Sequence, residues 1–235
     1  MQSGEWLKDQ RNENGNFGSG HESGEVFFAL KLLGFSLNDP SSIYLKSELD
    51  KSKSVANISL GQLGHYVHGV LSTCGNPKRF HSHNLVDHLK DALLDVSTDW
   101  SPGKARFEYS IAILALCNSG HHVKRRFTKI LAKELKYLVR LKSKQSPNPF
   151  DPDTVSMGII ALACVYKQPK IKMEQRNELY QAINESIHYL LEETQETDGS
   201  FGNEITTSLV VQVCKILPIE HYLNMRLNIE CGVEC

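Results

Sequence analysis

The amino-acid sequence predicts an all-α protein of the α/α-toroid type, in which amphipathic outer helices surround buried inner helices. Two observations lead to this class. Amphipathic segments alternate along the chain with segments that are apolar nearly all round, both at helical periodicity. A turn of the same chemistry also occurs twice, each time between an outer and an inner helix. Strand signals are weak, since no β-branched stretch alternates cleanly between polar and apolar residues.

The outer helices are predicted from segments that have one apolar stripe and one charged face. In the clearest of them, Phe127, Leu131 and Leu135 recur at intervals of four, with Lys and Arg between them. Such a helix buries one side and leaves the other in water. The four segments of this class are Ser41–Lys51, His83–Val96, His121–Leu141 and Lys172–Gln195.

The inner helices are predicted from segments without a polar face, which we expect to be buried on all sides. Their spacing of about 40 to 50 residues is the size of a helix–turn–helix repeat. They are Glu22–Leu33, Leu60–Thr73, Phe107–Cys117, Asp153–Tyr166 and Glu204–Leu217. The chain then divides into five pairs of an outer and an inner helix, over residues 1–34, 41–73, 83–117, 121–166 and 172–217, and the outer helix of the first pair precedes the four listed above. Pro218 fits the first turn of a further outer helix, so we expect a single domain over residues 1–235 with an incomplete sixth pair.

The repeated turn reads Asn14-Gly-Asn-Phe-Gly18 near one end and Asp198-Gly-Ser-Phe-Gly202 near the other. Asn-Gly and Asp-Gly supply the positive φ that a tight turn needs. The Phe-Gly that follows precedes an inner helix in both places. This shared placement is the main support for a toroid.

Composition narrows the classes of function. The chain has 26 Lys and Arg against 27 Asp and Glu, a net charge of −1, so no basic field for nucleic acid is expected. Its apolar runs are too short to span a membrane. His65 and His68 lie three residues apart, but no HExxH pattern completes a zinc site.

The cysteines leave the compartment open at this stage. The chain has six cysteines and no CxxC pair, which permits either a disulfide framework in a secreted protein or buried free thiols in a cytosolic one. We expect the secreted protein. The N-terminus lacks the basic and apolar regions of a signal peptide. Asn57 and Asn184 head N-x-S triplets and are candidate glycosylation sites.

Polar residues at the starts of the inner helices are the candidate functional site. In a toroid these starts face one mouth, which would be lined by Glu25, Gln62, Glu108, Tyr109, Asp153 and Asn203. One alternative is that these side chains only cap their helices. Two functions would make use of a mouth lined in this way. Glu108 and Asp153 would serve a glycosidase as a carboxylate pair, or all the groups would hydrogen-bond a bulky polar ligand without reaction.

Four blocks of this sequence resemble the vertebrate cobalamin-binding proteins, the family of intrinsic factor, transcobalamin and haptocorrin, and intrinsic factor most of all. The blocks occur in order and at family-like spacing across nearly the whole chain. They are Leu60-Gly-Gln-Leu-Gly64 with Leu71-Ser-Thr-Cys74, Ile111-Ala-Ile-Leu-Ala-Leu-Cys117, Pro149-Phe-Asp-Pro-Asp-Thr154 with Ala161-Leu-Ala-Cys164 and Tyr166, and Asn203-Glu-Ile-Thr-Thr-Ser208 with Gln212. The resemblance implies an α6/α6 barrel, which in the family precedes a small β domain, with cobalamin held between the two. No β domain follows in these 235 residues.

The resemblance also implies roles for individual residues. Gln62, Asp153 and Asn203 match positions that contact the corrin amides, and Phe107-Glu108-Tyr109 matches a segment that lines the same site. Transcobalamin has Gln at the position of Glu108, and intrinsic factor has Asp at the position of Asn203. Transcobalamin-like members have a cobalt-ligating His at the position of Phe150, so no protein His is expected on cobalt.

A disulfide between Cys117 and Cys164 is implied by the family's pairing. The resemblance leaves the partners of Cys74 and Cys231 outside the aligned region. Cys214 and Cys235 have no counterpart. The pairing of these four is therefore open.

Three interpretations of the function follow. The first is cobalamin binding and transport, without catalysis, and with a receptor or a separate β domain as further partner. The second is a related barrel that binds another ligand or a protein. The third is a glycosidase-type enzyme that uses Glu108 and Asp153. An exposed gap at the sixth helix pair would be an apolar patch, which predicts self-association.

Overall fold

The computed structural model describes residues 6, 8–12, 16–18, 20–32, 34–35, 45–47, 49–51, 55, 58–96, 104–142 and 152–216. The chain divides into two compact units. One consists of Met1–Asp99 with Ile111–Val123, and the other of Trp100–Ser110 with Lys124–Cys235.

The described part of the chain is helical, which confirms the all-α class. Its longer helices are α1 (Gly20–Leu32), α2 (Leu60–Ser72), α3 (Leu85–Asp95), α4 (Lys104–Asn118), α5 (Arg125–Lys142), α6 (Pro152–Tyr166), α7 (Met173–Glu193) and α8 (Glu204–Ile216). A short 3-10 helix covers Pro77–Arg79, and residues 45–47 and 49–51 are also helical. No strand occurs among these residues. The closed ring and the single domain stay predictions.

In the first unit, α2 packs against both α1 and α3. Two glycines bring α1 and α2 into close contact. A Cβ built on Gly24 of α1 would lie 2.6 Å from the carbonyl oxygen of His65, and one built on Gly69 of α2 would lie 2.8 Å from the Cα of Gly24. The obstacle at both positions is backbone, so neither helix has room for a side chain there.

In the second unit, α5 packs against α6 and α7, and α6 also packs against α7 and α8. The predicted apolar stripe of α5 is confirmed, since Phe127, Leu131, Leu135 and Leu138 are all buried. On its polar side, Arg125 donates to the carboxylates of two glutamates in the first turns of α7, at 2.8 and 2.6 Å. The stripe supplies the hydrophobic packing and the charged face remains in water.

The expectation that every inner helix is buried on all sides is wrong for α1 and α8. In α8, the exposed fraction is 71% for Ile205 and 37% for Val211, and in α1 both Glu25 and Lys31 are exposed. The reason is the number of neighbours. Among the described helices, α1 packs chiefly on α2 and α8 chiefly on α6. By contrast, ten of the fifteen residues of α6 are buried between several helices.

The first of the two repeated turns is closed by backbone and side-chain bonds. The N–H of Asn12 donates to the carbonyl oxygen of Asn16 at 3.0 Å. The next residue, Phe17, donates its N–H to Oγ of Ser23 in α1, also at 3.0 Å. Gly18 then adopts φ +87°, a conformation that only glycine reaches without strain.

The second turn has the same bonds at the matching positions. The N–H of Glu196 donates to the carbonyl oxygen of Ser200 at 2.8 Å, and the N–H of Phe201 donates to Oγ1 of Thr207 in α8 at 3.0 Å. Gly202 has φ +98°. The repeat predicted from the sequence therefore exists at the level of individual hydrogen bonds.

Candidate functional site

Gln62, the third residue of α2, takes part in the cap of that helix. Oγ of Ser59 accepts the N–H of Gln62 at 3.3 Å, and Oε1 of Gln62 accepts the N–H of Ser59 at 3.3 Å. This reciprocal pair is a capping box, which satisfies two N–H groups that the helix leaves unbonded. Capping, the alternative considered for these residues, is therefore confirmed for Gln62. Its amide nitrogen keeps two N–H donors for a further acceptor.

Asn203 is the residue directly before α8 and caps it. Its Oδ1 accepts the N–H of Thr206 at 2.9 Å, and its backbone carbonyl accepts the N–H of Thr207 at 2.9 Å. The side chain is exposed and stands next to the turn that Phe201 closes. The cap uses only the amide oxygen, so Nδ2 offers two donors at an exposed position.

Asp153 is the second residue of α6. Pro152 occupies the first position, where its fixed φ and missing N–H suit a helix start. Both residues are half-buried, while Thr154, Val155 and Ser156 are buried. A carboxylate in the first turn is stabilised by the positive end of the helix dipole. The structure thus holds an acid at the edge of the core of the second unit.

The segment Phe107–Tyr109 marks the point at which α4 enters the core. Phe107 and Glu108 are half-buried, and Tyr109 is fully buried. The Tyr109 hydroxyl donates to the carbonyl oxygen of Phe127 in α5 at 3.3 Å. Burial raises the pKa of the Tyr109 phenol well above its usual value, although Arg126 opposes the shift. Tyr109 is therefore a neutral, anchored side chain.

Of the six residues that the resemblance assigns to the corrin site, five lie in the second unit and one, Gln62, lies in the first. In the second unit, Asp153 and Asn203 begin two helices that pack against each other. Gln62 and Asp153 lie in the first turns of α2 and α6, and Asn203 lies directly before α8. Glu108 and Tyr109 lie in the second turn of α4, because this helix begins at Lys104 and not at Phe107 as predicted. Their convergence on one mouth, and the glycosidase that would need it, stay predictions.

The structure gives the state of three of the six cysteines. Cys117 and Cys164 form the disulfide that the resemblance implied. Cys74 is a free and exposed thiol, with Nζ of Lys31 at 4.0 Å from its sulfur. Cys231 and Cys235 lie outside the described residues, and of Cys214 only the helical backbone is described.

The two candidate glycosylation sites differ in what the structure describes. Asn57 lies outside the described residues. Asn184 is half-buried in α7, and Ser186 of its triplet is fully buried with Oγ donating to the carbonyl oxygen of Ala182 at 2.8 Å. Modification at either site stays a prediction.

His68 is a feature that the sequence did not identify. The sequence shows it only as half of a histidine pair, but in the structure it is buried in α2 and stacked on Phe28, with ring centroids 4.4 Å apart. Its Nε2 lies 3.3 Å from Nδ2 of Asn118. Burial, and secondly the nearby His65, lower the pKa of His68 to about 3. The signal was its place among apolar residues in a segment predicted to be buried.

Searches for a metal site and for a membrane-spanning helix apply to all the described residues. Within the described ranges, no three His, Cys, Asp or Glu side chains are grouped so as to hold a metal ion. None of the described helices combines the length and apolar character needed to cross a membrane.

Comparison with known proteins gives one family. The family model described as eukaryotic cobalamin-binding protein matches residues 8–225. The chain is 27% identical over 217 residues to cobalamin binding intrinsic factor of Mus musculus, an alignment that covers 88% of this chain and 46% of that protein. It is 23% identical to the Homo sapiens protein of the same name, over 88% of this chain and 46% of the relative. An uncharacterized Drosophila melanogaster protein is 24% identical over 91% of this chain and 35% of its own length. The chain thus spans less than half the length of these relatives.

Proposed function

We propose that this chain, which belongs to the eukaryotic cobalamin-binding protein family, binds cobalamin and serves in its transport. The observation that carries the proposal is the placement of the polar residues. Asp153 lies in the first turn of α6, Asn203 lies directly before α8, and these two helices pack together. The family resemblance assigns both positions to the corrin amides. The family match extends over all of these positions.

The chemistry of the side chains suits the amide groups at the edge of a corrin ring. Nδ2 of Asn203 and Nε2 of Gln62 donate to amide carbonyl oxygens, while each amide oxygen continues to cap its helix. The carboxylates of Asp153 and Glu108 accept amide N–H groups, and charge makes such bonds stronger than neutral ones. This role for the two acids is the alternative to the glycosidase hypothesis.

Phe107 and Tyr109 contribute through packing. We assign the half-buried Phe107 ring to the apolar surface of the corrin. Tyr109 holds this segment in place through its bond to the Phe127 carbonyl, which fixes Phe107 and Glu108 beside it. A direct ligand contact by Tyr109 stays a prediction.

We propose further that no histidine of this chain binds cobalt at the position of Phe150, which lies outside the described residues. The cobalt then keeps an exchangeable ligand on the side of the corrin where transcobalamin-like members have the histidine. This is tested by adding imidazole to the bound form, which should shift the corrin absorbance bands.

We propose that the protein is secreted and acts without catalysis. The Cys117–Cys164 disulfide supports an oxidising compartment. Because the alignments cover only 46% of the Mus musculus and Homo sapiens relatives, we propose a separate β domain or a receptor as a further partner.

A cobalamin titration followed by corrin absorbance tests the proposal. The chain should bind saturably. Asp153→Ala should weaken binding by roughly tenfold or more, because it removes a charged acceptor worth about 1.5 kcal/mol or more. Asn203→Ser should also weaken binding, since serine keeps the cap but has no amide.

Glu174→Ala is the matched control, since Glu174 is also an acid in the first turn of a helix of the second unit. It loses only an exposed ion pair and should bind as the unaltered chain does. Equal affinity for the Asp153→Ala and unaltered chains would contradict the assigned site.

A further inference from the structure

A groove on the surface of the second unit, between α5 and α7, carries a row of cations above an apolar floor. Lys129, Lys133, Lys136 and Arg140 line it from α5, and the buried Ala132 and Leu179 form its base. The groove has a volume of about 350 Å³, within the size range of ligand sites.

The groove is positive although the whole chain has a net charge of only −1. Glu178 is the one carboxylate that lines it, and Arg125 already binds this carboxylate at 2.6 and 3.3 Å. Lys136 pairs with Glu185 at 3.3 Å. Lys129 and Lys133 are exposed, and within the described part of the chain neither has a carboxylate at ion-pair distance. The local excess of positive charge favours an anionic occupant.

The spacing of the cations fits an extended peptide. The four positions are four, three and four residues apart, which at about 1.5 Å per residue gives steps of about 6, 4.5 and 6 Å along the helix. Side chains on the same side of an extended strand are about 6.6 Å apart, a difference that flexible lysine stems can absorb. The alternate side chains of such a peptide can contact the ring of Tyr137, which lines the groove and is 48% exposed, whereas Leu179 at the base is buried.

We propose that this groove binds an extended acidic segment of a partner protein, in which acidic residues alternate with apolar ones. The cations fix the acidic side chains and set the direction of approach, and the exposed ring of Tyr137 favours the apolar ones. The site is independent of cobalamin, because none of the residues assigned to the corrin lines it.

Fluorescence anisotropy with labelled octapeptides tests the proposal on the full chain. The probe alternates glutamate with leucine, and the comparison peptide alternates glutamate with serine. Lys129→Gln combined with Lys133→Gln should weaken binding of the first probe at least tenfold in low salt. Lys124→Gln combined with Lys170→Gln is the matched control, since these exposed lysines belong to the same unit but lie outside the groove.

We expect the leucine probe to bind more tightly than the serine probe. We also expect the affinity to fall as the salt concentration rises, because salt screens the charges. It is overturned if the probe does not bind, if both double variants lose affinity equally, or if the serine probe binds as well. It is also overturned if a sulfated oligosaccharide or a single-stranded DNA of equal charge binds more tightly than the leucine probe and loses affinity in the same variant.

Discussion

His68 illustrates how burial fixes the protonation state of one side chain. The ring is enclosed by Phe28 and Asn118, and its folded-state pKa of about 3 lies far below the ordinary value of 6.5. The folded protein therefore keeps this imidazole neutral at pH values where the unfolded chain takes up a proton. Since the unfolded state then binds more protons, the free energy of unfolding must fall as the pH falls below 6.5, until the folded ring also titrates near 3.

We predict a loss of up to about 1.4 kcal/mol per pH unit from this residue between pH 6.5 and 3. Denaturant unfolding at a series of pH values measures it. His68→Gln should show a shallower dependence on pH, whereas His122→Gln, an exposed control, should match the unaltered chain. Equal slopes for His68→Gln and the unaltered chain would refute this explanation.

The caps show what residue identity can and cannot predict. Gln, Asn and Asp at helix starts are suited both to capping and to binding a ligand, so the sequence could place Gln62 and Asn203 correctly but could not choose between the roles. The hydrogen bonds in the structure show that each amide oxygen caps its helix and that the nitrogen keeps its donors. One side chain can therefore have both roles.

At the scale of the helices, periodicity predicted the elements well and their burial less well. The stripe of α5 and the position of α6 follow from the pattern of apolar residues. The exposure of Ile205 in α8 does not, because the pattern records side-chain polarity and not the number of neighbouring helices. The Asp-Gly turn was predictable for a steric reason, and Gly199 has the expected positive φ of +85°.

Close packing of α1 on α2 gives a prediction at this scale. Gly24→Ala should destabilise the protein by about 1–3 kcal/mol, because the new methyl group meets the His65 carbonyl oxygen at 2.6 Å. This cost exceeds the gain of up to about 1 kcal/mol in helix propensity. The melting temperature measures the change, with Glu25→Ala, an exposed neighbour on α1, as control. A more stable Gly24→Ala variant would contradict this packing.

At the scale of the whole molecule, the Cys117–Cys164 disulfide limits the freedom of the unfolded chain. Cys117→Ser combined with Cys164→Ser should lower the free energy of unfolding by about 2–4 kcal/mol. Cys74→Ser should leave it nearly unchanged, since that thiol is free and exposed. Thermal unfolding under non-reducing conditions distinguishes the two. An equal loss in both variants would show that the disulfide does not stabilise the fold.

The limits of sequence reasoning are also clearest at this scale. Resemblance identified the family and the disulfide, because short blocks of residues in fixed order carry that information. The ring, the self-association and the common mouth stay predictions, because they depend on how helices far apart in the chain are arranged. Even a correct set of helix starts, such as those at Asp153 and Asn203, does not contain the distance between them.

The proposed function depends on the binding of cobalamin at the starts of α6 and α8. Hydrogen–deuterium exchange, measured by mass spectrometry with and without saturating cobalamin, tests it most directly. We predict slower exchange in peptides that contain residues 152–156 and 203–207, with unchanged exchange along the exposed face of α5. Saturable binding that protects neither helix start would contradict the proposed function at this site.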